Sequence, residues 1–494
     1  MKIVVCVKQT AAGELNPFDA CAYEAALQIR GAEVILLSMG PERTHDLLLN
    51  LTRLGAREAY HLCDKAFAGG DTLATAYVLS LALKKLHPDL VICGRQTIDG
   101  DTAQTGPALS IMANMELICN VMRILHTDGH LACETRDGVI GKVSYPALIT
   151  VERINNLRLP SIRAKKGSVI RWDAKDLNAD LERCGFKGSP TKVIASFQNE
   201  DGIRKCKYLK AGQLMEAVEA GLAKEKNRQK PVKKSEKLLS RVWTVGEAPG
   251  TMGQGISDDL TVISKERFNN NTPREFAQSF AAYVKEHCPE VILWGSDSWS
   301  KEVAPQVAAL LQTGLCADCT ALETDGQKLY MYRPAFSGNI IAKITCSTKP
   351  AMATVRTMEK DGADIICSIG KGAKAVVMQL EHFVEEENSK QSLGEIKWEL
   401  GASRGAVDGE LQPYSRQVGI TGKSVSPAVY IAAGISGAVH HIEGMKQSGT
   451  VIAINSDPHA SIFKYADYGI VDSIENVMSE IQGQYIKNKG DGES

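Results

Sequence analysis

Short apolar runs alternate with segments of helical spacing in the N-terminal part of the chain, and this rhythm restricts the fold more than any other feature. The sequence predicts strands at residues 3–7, 34–38 and 89–94 and helices at residues 18–29, 43–54 and 72–86. Parallel neighbours need a long crossover between them, which a helix usually supplies. The order strand, helix, strand therefore predicts βαβ units and a mainly parallel sheet.

Length and composition limit the class of protein. The 494 residues correspond to about three domains of roughly 150 residues each. An apolar share of 44% and a charged share of 23% are typical of globular proteins. The 57 basic and 58 acidic residues nearly cancel, so the chain lacks the overall field that attracts nucleic acid. We therefore expect no nucleic-acid partner.

The N-terminus and the cysteines predict a soluble, cytoplasmic protein. Only five apolar residues separate Lys2 from Lys8, too few for the core of a secretory signal, and no apolar run is long enough to span a membrane. The 13 cysteines are odd in number and many lie in apolar runs, which favours free thiols in a reducing compartment. Cys316 and Cys319 form a lone C-x-x-C pair, which we expect to be buried and inert, and no metal site is expected.

Two segments of the chain resemble each other. Residues 85–94 and 286–295 share a proline, an apolar run and a final glycine at matching positions. After each loop comes another proline in an apolar helix, at Pro107 and Pro305. This repeat predicts two related α/β domains, and coincidence between two common helix–strand units is the alternative.

Glycine-rich turns and polar strand ends concentrate in the last third of the chain. A strand at 428–433 is followed by Gly434-Ile-Ser-Gly437 and a helix start, where backbone N–H groups commonly meet a phosphate. A second strand, 451–454, ends in Asn455-Ser-Asp457, whose side chains suit ribose or adenine. Plain crossover and Asn/Asp turns are the alternative interpretations.

Three sets of longer motifs run along the chain. The first set lies at residues 401–404, 417–423, 434–438, 454–458 and 463–469. The second set lies at residues 314–320, 333–339 and 350–356. The third set lies at residues 7–8, 16–18, 94–107, 159–162 and 188–191. The first set resembles the FAD domain of the electron transfer flavoprotein alpha subunit, the second resembles the first domain of that subunit, and the third resembles the beta subunit.

The resemblance implies an α/β fold with two related parallel-sheet nucleotide-binding domains plus a C-terminal doubly wound FAD domain. The implied divisions are a beta-like domain at 1–165, a beta C-terminal arm and basic linker at 166–240, an alpha-like first domain at 241–360 and an FAD-binding domain at 361–494. The basic stretch 224–237 also contains acids and a proline, which favours a solvated linker over a polybasic tether.

The resemblance also implies an FAD site in the C-terminal domain. The implied contacts are Lys371, Ser403, Arg404, Gln417, Val418, Gly419, Thr421, Ser436, Gly437, Ala438, His440, His441, Asn455, Asp457 and Asp472. Arg404 and His441 would place positive charge or hydrogen-bond donors beside the flavin and favour its one-electron-reduced form. Thr421 would donate near the reactive edge of the flavin ring. A surface salt bridge is the alternative role for Arg404.

A second nucleotide site is implied in the beta-like domain. The implied contacts are Cys6, Asn16, Pro17, Phe18, Met39, Gly94, Asp99, Asp101, Thr102, Gln104 and Thr105. The loop at 99–104 is similar to that of members that hold a second FAD and split electron pairs. Asp99 and Asp101 would bind ribose hydroxyls, and Thr102, Gln104 and Thr105 would meet phosphate. The alternative is a plain helix capped by Asp101 or Thr102.

The function implied is electron transfer by flavin-based bifurcation. Electron pairs would come from NADH, with one route to an acyl-CoA dehydrogenase and the other to ferredoxin or flavodoxin. Leu159, in a loop stiffened by Pro160, would dock the dehydrogenase, and a core-facing leucine is the alternative.

Two further functions stay open from the sequence. One is a shuttle with a single FAD and AMP in the beta-like site. The other, from a different class, is a flavin-free regulator that binds adenine nucleotides. Whether the chain is only a carrier or also an enzyme that oxidises NADH is open as well.

Overall fold

The computed structural model describes residues 1–152, 156–198, 203–226, 234–247, 249–268, 272–335, 340–356, 363–390, 396–419, 422–423 and 425–490. The chain divides into two compact units. Unit 1 comprises residues 1–197, 232–336 and 340–357, and unit 2 comprises residues 198–231, 337–339 and 358–494. The predicted boundary at 360 and the middle of the predicted linker lie outside the described residues. Within the described ranges, no helix is long and apolar enough to cross a membrane.

The N-terminal domain of unit 1 is built on a nine-stranded sheet. Its elements are β1 (Lys2–Cys6), α1 (Pro17–Gln28), β2 (Glu33–Met39), α2 (Thr44–Leu51), β3 (Glu58–Leu62), α3 (Thr72–Leu86), β4 (Leu90–Gly94), α4 (Thr105–Met112), β5 (Glu116–His126), β6 (Leu131–Thr135), β7 (Ile140–Val143), β8 (Ala147–Val151) and β9 (Ser168–Trp172), followed by β10 (Thr191–Gln198). The sheet order is β7-β6-β5-β8-β4-β1-β2-β3-β9, parallel except at β6 and β7. The predicted βαβ units are confirmed. The apolar strands β1 and β4 are buried and lie between neighbouring parallel strands.

The second domain of unit 1 follows a short segment that belongs to unit 2. That segment contains β11 (Lys207–Tyr208) and α5 (Leu214–Lys226). The second domain contains β12 (Val242–Val245), α6 (Gly250–Gly253), β13 (Leu260–Ile263), α7 (Pro273–His287), β14 (Val291–Trp294), α8 (Ser298–Leu311), β15 (Leu315–Cys319), β16 (Ala321–Thr324), β17 (Leu329–Ala335), β18 (Ile340–Cys346) and β19 (Ala351–Val355). Its sheets have the orders β13-β12-β14-β19-β15 and β10-β18-β17-β16.

The internal repeat is confirmed by the topology of unit 1. The order β2-β1-β4-β8-β5 in the first domain corresponds to β13-β12-β14-β19-β15 in the second. Helices α3 and α7 both end at a residue in left-handed conformation, His87 (φ 49°) and Cys288 (φ 48°), directly before the matching strand. Helices α4 and α8 occupy matching positions and pack against each other. Cys316 and Cys319 are buried, as predicted, and burial raises the pKa of the Cys319 thiol.

Unit 2 is a doubly wound parallel domain, as the family resemblance implies. Its further elements are β20 (Ile365–Ile369), α9 (Val377–Lys390), β21 (Trp398–Ala402), α10 (Arg404–Asp408), β22 (Val429–Ala433), α11 (Val439–Met445), β23 (Thr450–Ile454), β24 (Tyr468–Ile470) and α12 (Ile474–Gly490). The order is β21-β20-β22-β23-β24-β11, and all pairs are parallel. The chain winds outward from β20 in one direction and from β22 in the other. The crevice between these two strands is the topological switch point.

Candidate functional site

A cavity of about 700 Å³ lies at the carboxyl ends of the strands of unit 2. Gly372, Ser403 and Gly434 line it and follow β20, β21 and β22, so the cavity coincides with the topological switch point. Open α/β sheets bind ligands at this position, and the volume is typical of cofactor clefts. The fold of unit 2 therefore positions one nucleotide-sized site.

Most of the contacts predicted for the C-terminal domain meet at this cavity. Eleven of them line it: Lys371, Ser403, Arg404, Val418, Gly419, Ser436, Ala438, His440, His441, Asn455 and Asp472. Gln417, Gly437 and Asp457 are not among the lining residues. Thr421 lies outside the described residues.

The two glycines after β22 have a structural role that the sequence does not reveal. Gly434 (φ +67°) and Gly437 (φ +90°) adopt conformations that favour glycine. A Cβ at Gly434 would lie 2.8 Å from the backbone nitrogen of Ala373, and one at Gly437 would lie 2.2 Å from that of Ile462. The sequence predicts close approach of a ligand at both glycines, and the structure shows in addition that neighbouring backbone approaches both of them closely.

Arg404 lines the cavity from the first turn of α10. Ser403 caps this helix, its hydroxyl accepting from the Ala406 N–H at 3.3 Å. Arg404 Nε donates to Asp408 Oδ2 at 3.3 Å, one helical turn away. Asp408 lines the cavity too and was not predicted. Arg404 thus forms a local ion pair and still faces the cavity, which reconciles both interpretations of this residue.

His441 is buried and neutral, whereas the resemblance implies positive charge or a hydrogen-bond donor at this residue. Its Nδ1 lies 3.1 Å from the Val418 carbonyl oxygen and must donate, so Nε2 accepts from the Tyr430 hydroxyl at 2.9 Å. Burial lowers the pKa of His441 to about 4. Both ring nitrogens are engaged within the protein, so His441 holds the Val418 loop against α11 and offers no donor to a ligand.

This burial predicts an acid-sensitive unit 2. The unfolded chain binds a proton at His441 below its usual pKa of 6.5, whereas the folded chain does not until about 4. Stability is therefore lost as the pH falls, by roughly 2 kcal/mol between about pH 7 and pH 5. We expect the thermal midpoint to fall over this range in the parent and to fall less in His441→Gln. Equal slopes in the two proteins would contradict a neutral buried imidazole.

The polar residues after β23 and β24 brace the cavity wall. Asn455 Nδ2 donates to the Ile435 carbonyl at 3.0 Å, and Asn455 Oδ1 accepts from the Asp457 N–H at 2.9 Å. Asp457 is exposed and accepts from the His459 N–H at 2.9 Å, which matches the Asn/Asp turn kept as the alternative interpretation. Asp472 accepts from the Ser473 N–H at 2.7 Å and also lines the cavity.

The strand ends predicted for a second nucleotide lie side by side in unit 1. Strand β1 pairs with β2 on one side and β4 on the other, so Cys6, Met39 and Gly94 end neighbouring strands at one edge of the sheet. The loops that follow β1 and β4 are joined by an ion pair between Lys8 Nζ and Asp99 Oδ2 at 3.3 Å. This edge is where an α/β sheet holds a nucleotide.

Two buried acceptors at this edge suit a ligand that donates hydrogen bonds. Asn16 Oδ1 and Asp99 Oδ1 have no hydrogen-bond donor among the described residues. Asn16 precedes α1, which starts with Pro17 and Phe18, and its Nδ2 donates to the Gln96 carbonyl at 2.9 Å. Buried acceptors without a donor are costly, so hydroxyl or amine groups of a nucleotide would stabilise them.

The loop before α4 lacks the cap that the alternative interpretation expects. Asp101 is buried and its Oδ1 accepts from Gln96 Nε2 at 3.2 Å, so one oxygen of this carboxylate is engaged within the protein. The cap position of α4 is occupied by Gln104 instead of Asp101 or Thr102, and Gln104 Nε2 donates to the Leu315 carbonyl at 3.3 Å. Gln104 therefore ties the loop to the second domain, while Thr102 and Thr105 are half-buried at the helix start.

Sequence reasoning missed several residues of the first cavity. Asp408 follows Arg404 by four residues, a spacing that the sequence shows and that places both on one face of helix α10. Glu475 lies in the first turn of α12 and lines the cavity, but no motif marks it. Tyr430 sits inside an apolar strand, and only the tertiary structure brings its hydroxyl to His441.

Fold and site together define a nucleotide-binding α/β protein with a doubly wound C-terminal domain. Residues 3–177 and 247–381 match the family described as electron transfer flavoprotein domain, and residues 361–446 match the electron transfer flavoprotein FAD-binding domain. The chain belongs to the electron transfer flavoprotein family. The matched C-terminal domain supports FAD as a cofactor.

Relatives of both subunit types are similar to this chain. An electron transfer flavoprotein subunit alpha from Thermoanaerobacterium thermosaccharolyticum is 39% identical over 259 residues, covering 45% of this chain and 78% of that protein. The subunit beta of the same organism is 39% identical over 217 residues, covering 42% and 83%. The caffeyl-CoA reductase–Etf complex subunit CarD of Acetobacterium woodii is 40% identical over 197 residues, covering 37% and 75%. The chain thus combines beta-like and alpha-like parts in one polypeptide.

Proposed function

We propose that this chain is a bifurcating electron transfer flavoprotein with two FAD molecules. It takes electron pairs from NADH and sends electrons singly to an acyl-CoA dehydrogenase and to ferredoxin or flavodoxin. The observation that carries the proposal is the loop at 99–104, which resembles loops that hold a second FAD. This loop contains Asp99, whose Oδ1 is buried without a donor among the described residues, as is Oδ1 of Asn16.

The cavity of unit 2 fits FAD in its donor set and its size. Lys371 and Arg404 supply cationic groups for a diphosphate or a reduced ring, and Ser403 and Ser436 add hydroxyl groups. Ile435 is apolar and lines the same cavity. FAD, when bound, supplies the ability to accept an electron pair and to pass electrons on one at a time. The chain itself would bind and orient the cofactor and set the charge around it.

Arg404 would set the charge around the cofactor, and Asp408 would hold the Arg404 side chain in position. The ion pair at 3.3 Å uses Nε of the guanidinium, which leaves its other N–H groups available toward the cavity. His441 would act differently, by holding the Val418 loop in place with a neutral ring. Positive charge at this site would then come from Arg404 and Lys371.

The proposed partners follow from the relatives and from one loop. The relative CarD is named as a subunit of a caffeyl-CoA reductase–Etf complex, which supports a CoA-ester dehydrogenase as the partner here. Leu159 is 90% exposed, so the core-facing alternative is wrong for this residue. An exposed leucine beside Pro160 is a suitable anchor for an apolar pocket on such a partner.

The number of nucleotides per chain tests the proposal. We expect denatured protein to release two FAD per chain, and Asp99→Ala to release about one, because its carboxylate is an acceptor of the second site. Asp137→Ala, an exposed aspartate of the same domain, is the matched control and should release two. Equal amounts of FAD and AMP from the parent would instead favour the one-FAD shuttle, and a colourless protein would favour the nucleotide-binding regulator.

A further inference from the structure

Two cysteines lie opposite each other on neighbouring central strands of unit 1. Strands β1 and β4 pair in parallel, and Cys6 at the end of β1 is the register partner of Cys93 in β4. Cys93 belongs to the apolar cluster on one face of the sheet, and Cys6 packs against the same cluster, so both side chains are on that face. Neighbouring strands are about 4.8 Å apart, within the roughly 4.4–6.8 Å that separates the Cα atoms of disulfides. The backbone therefore holds the two residues at a distance that a disulfide can bridge.

The two thiols contact each other and differ in accessibility. The side chain of Cys93 forms a hydrogen bond with that of Cys6, and this bond together with burial raises the pKa of the Cys93 thiol. Cys93 is buried, whereas Cys6 is half-buried. A small reagent therefore reaches Cys6 first, and Cys93 lies next to it. An accessible thiol beside a second thiol is the arrangement that converts a mixed disulfide into an internal one.

A buried carboxylate keeps the ends of these two strands aligned. Asp19, in α1, accepts from the Lys8 N–H at 2.8 Å through Oδ2 and from the Gly94 N–H at 3.2 Å through Oδ1. Lys8 is two residues after Cys6, and Gly94 directly follows Cys93. Because one side chain bonds the backbone beside both cysteines, their alignment is fixed by local hydrogen bonds in addition to the strand pairing.

The thiol pair lies at the edge of the sheet where the second nucleotide is proposed. The ion pair between Lys8 Nζ and Asp99 Oδ2, 3.3 Å long, joins the loops that follow the same two strands. These loops also carry Asn16 Oδ1 and Asp99 Oδ1, the buried acceptors without a donor among the described residues. A nucleotide that meets both acceptors would lie over the carboxyl ends of β1 and β4, and therefore over the half-buried Cys6.

We propose that Cys6 and Cys93 form a reversible disulfide that competes with the nucleotide of the second site. The oxidant is a low-molecular-weight disulfide such as oxidised glutathione. The Cys6 thiolate attacks one sulfur of the reagent and releases a first thiolate, and the Cys93 thiolate then attacks Cys6 Sγ and releases the second. The protein loses two electrons and two protons, which the reagent takes up as two thiols. This inference rests on the proposed function for its second nucleotide, and it adds a means of regulating that site.

The competition acts in both directions. The bridge brings the two sulfurs to about 2.05 Å, which shifts the strand ends that carry the nucleotide-binding loops. A bound nucleotide in turn covers Cys6 and opposes this shift. Because such linkage is reciprocal, a nucleotide that disfavours the bridge is itself bound more weakly by the bridged protein.

Mass spectrometry after digestion without reductant detects the bridge. The full chain is incubated with oxidised glutathione, its free thiols are blocked, and trypsin then releases Cys6 in peptide 3–8 and Cys93 in peptide 86–95. We expect the two peptides to appear as one species that lacks two hydrogens, and dithiothreitol to separate them. Cys93→Ser should stop at the mixed disulfide between Cys6 and glutathione. Cys288 is exposed, so its modification shows that the reagent is active.

Emptying the second site separates this inference from the proposed function. We expect the bridge to form about tenfold faster in Asp99→Ala than in the parent, and Asp137→Ala, the exposed control, to behave as the parent. The FAD and AMP released by each protein are counted on the same samples. One FAD and one AMP from the parent would contradict the two-FAD function and leave the test of the bridge intact.

Two results would overturn the inference. The first is the absence of the linked peptide in both the parent and Asp99→Ala while Cys288 carries glutathione. The second is a bridged parent that binds the second nucleotide with the affinity of the reduced parent, whereas we expect this affinity to be about tenfold lower.

Discussion

Arg404→Ala is expected to lower the first one-electron reduction potential of the C-terminal flavin by on the order of 60 mV, or about 1.4 kcal/mol for one electron. Arg404 lines the cavity of unit 2, and His441 in the same wall is neutral. Removing the arginine therefore removes much of the positive charge that would stabilise the negative charge of the reduced flavin ring. Spectroelectrochemical titration of the purified protein measures the shift.

Three variants show whether the effect belongs to the cavity. Arg404→Lys keeps the charge but loses the guanidinium fork, so it should recover part of the potential. Asp408→Asn frees Arg404 from its ion pair and should raise the potential slightly. Arg416→Ala removes an arginine of unit 2 that pairs with Glu381 and does not line the cavity, so it should behave as the parent. A parental potential in Arg404→Ala would remove this residue from the flavin site.

Leu159→Ala is expected to slow electron delivery to the dehydrogenase on the order of 30-fold, the change that about 2 kcal/mol at a docking hot spot produces. The side chain is 90% exposed, so the truncation should leave the fold and the thermal midpoint intact. Stopped-flow measurement of transfer at varied dehydrogenase concentration gives the rate. Reduction of the flavin by NADH should proceed at the parental rate.

The matched control for this prediction is Leu181→Ala. Leu181 is also a leucine of unit 1 and is 51% exposed, but it lies outside the loop at 156–167. We expect this variant to transfer electrons as the parent does. Equal slowing in both variants would point to a general effect of lost surface area and not to docking through Leu159.

Local signals predicted several elements almost residue by residue. Helix α3 spans Thr72–Leu86, as the spacing predicts, because Asp71 caps it and a left-handed His87 ends it. The helix predicted at 43–54 forms α2 and then tightens into a 3₁₀ turn at 52–54. These features depend on periodicity and on capping residues a few positions away, so they can be read from a single chain.

Interpretation failed where a residue found its partner far along the chain. Gln104 occupies the cap position of α4 and bonds Leu315, 211 residues away, so the alternative of a helix capped by Asp101 or Thr102 is wrong. The resemblance implies positive charge or a hydrogen-bond donor at His441, whereas this residue is buried and its ring nitrogens bond to Tyr430 and Val418. No local pattern specifies such contacts, because they depend on how separate strands and helices pack.

The sequence by itself determined the alternating βαβ order, the internal repeat, the C-terminal doubly wound domain and the membership in the flavoprotein family. Each of these is encoded in short periods or contiguous motifs. Only the tertiary structure decided that His441 is neutral, that Asn16 and Asp99 hold buried acceptors without a donor in the described part of the chain, and that Leu159 is exposed. Protonation, hydrogen bonding and exposure depend on groups distant in sequence, as when α1 brings Glu24 to Arg158 across 134 residues.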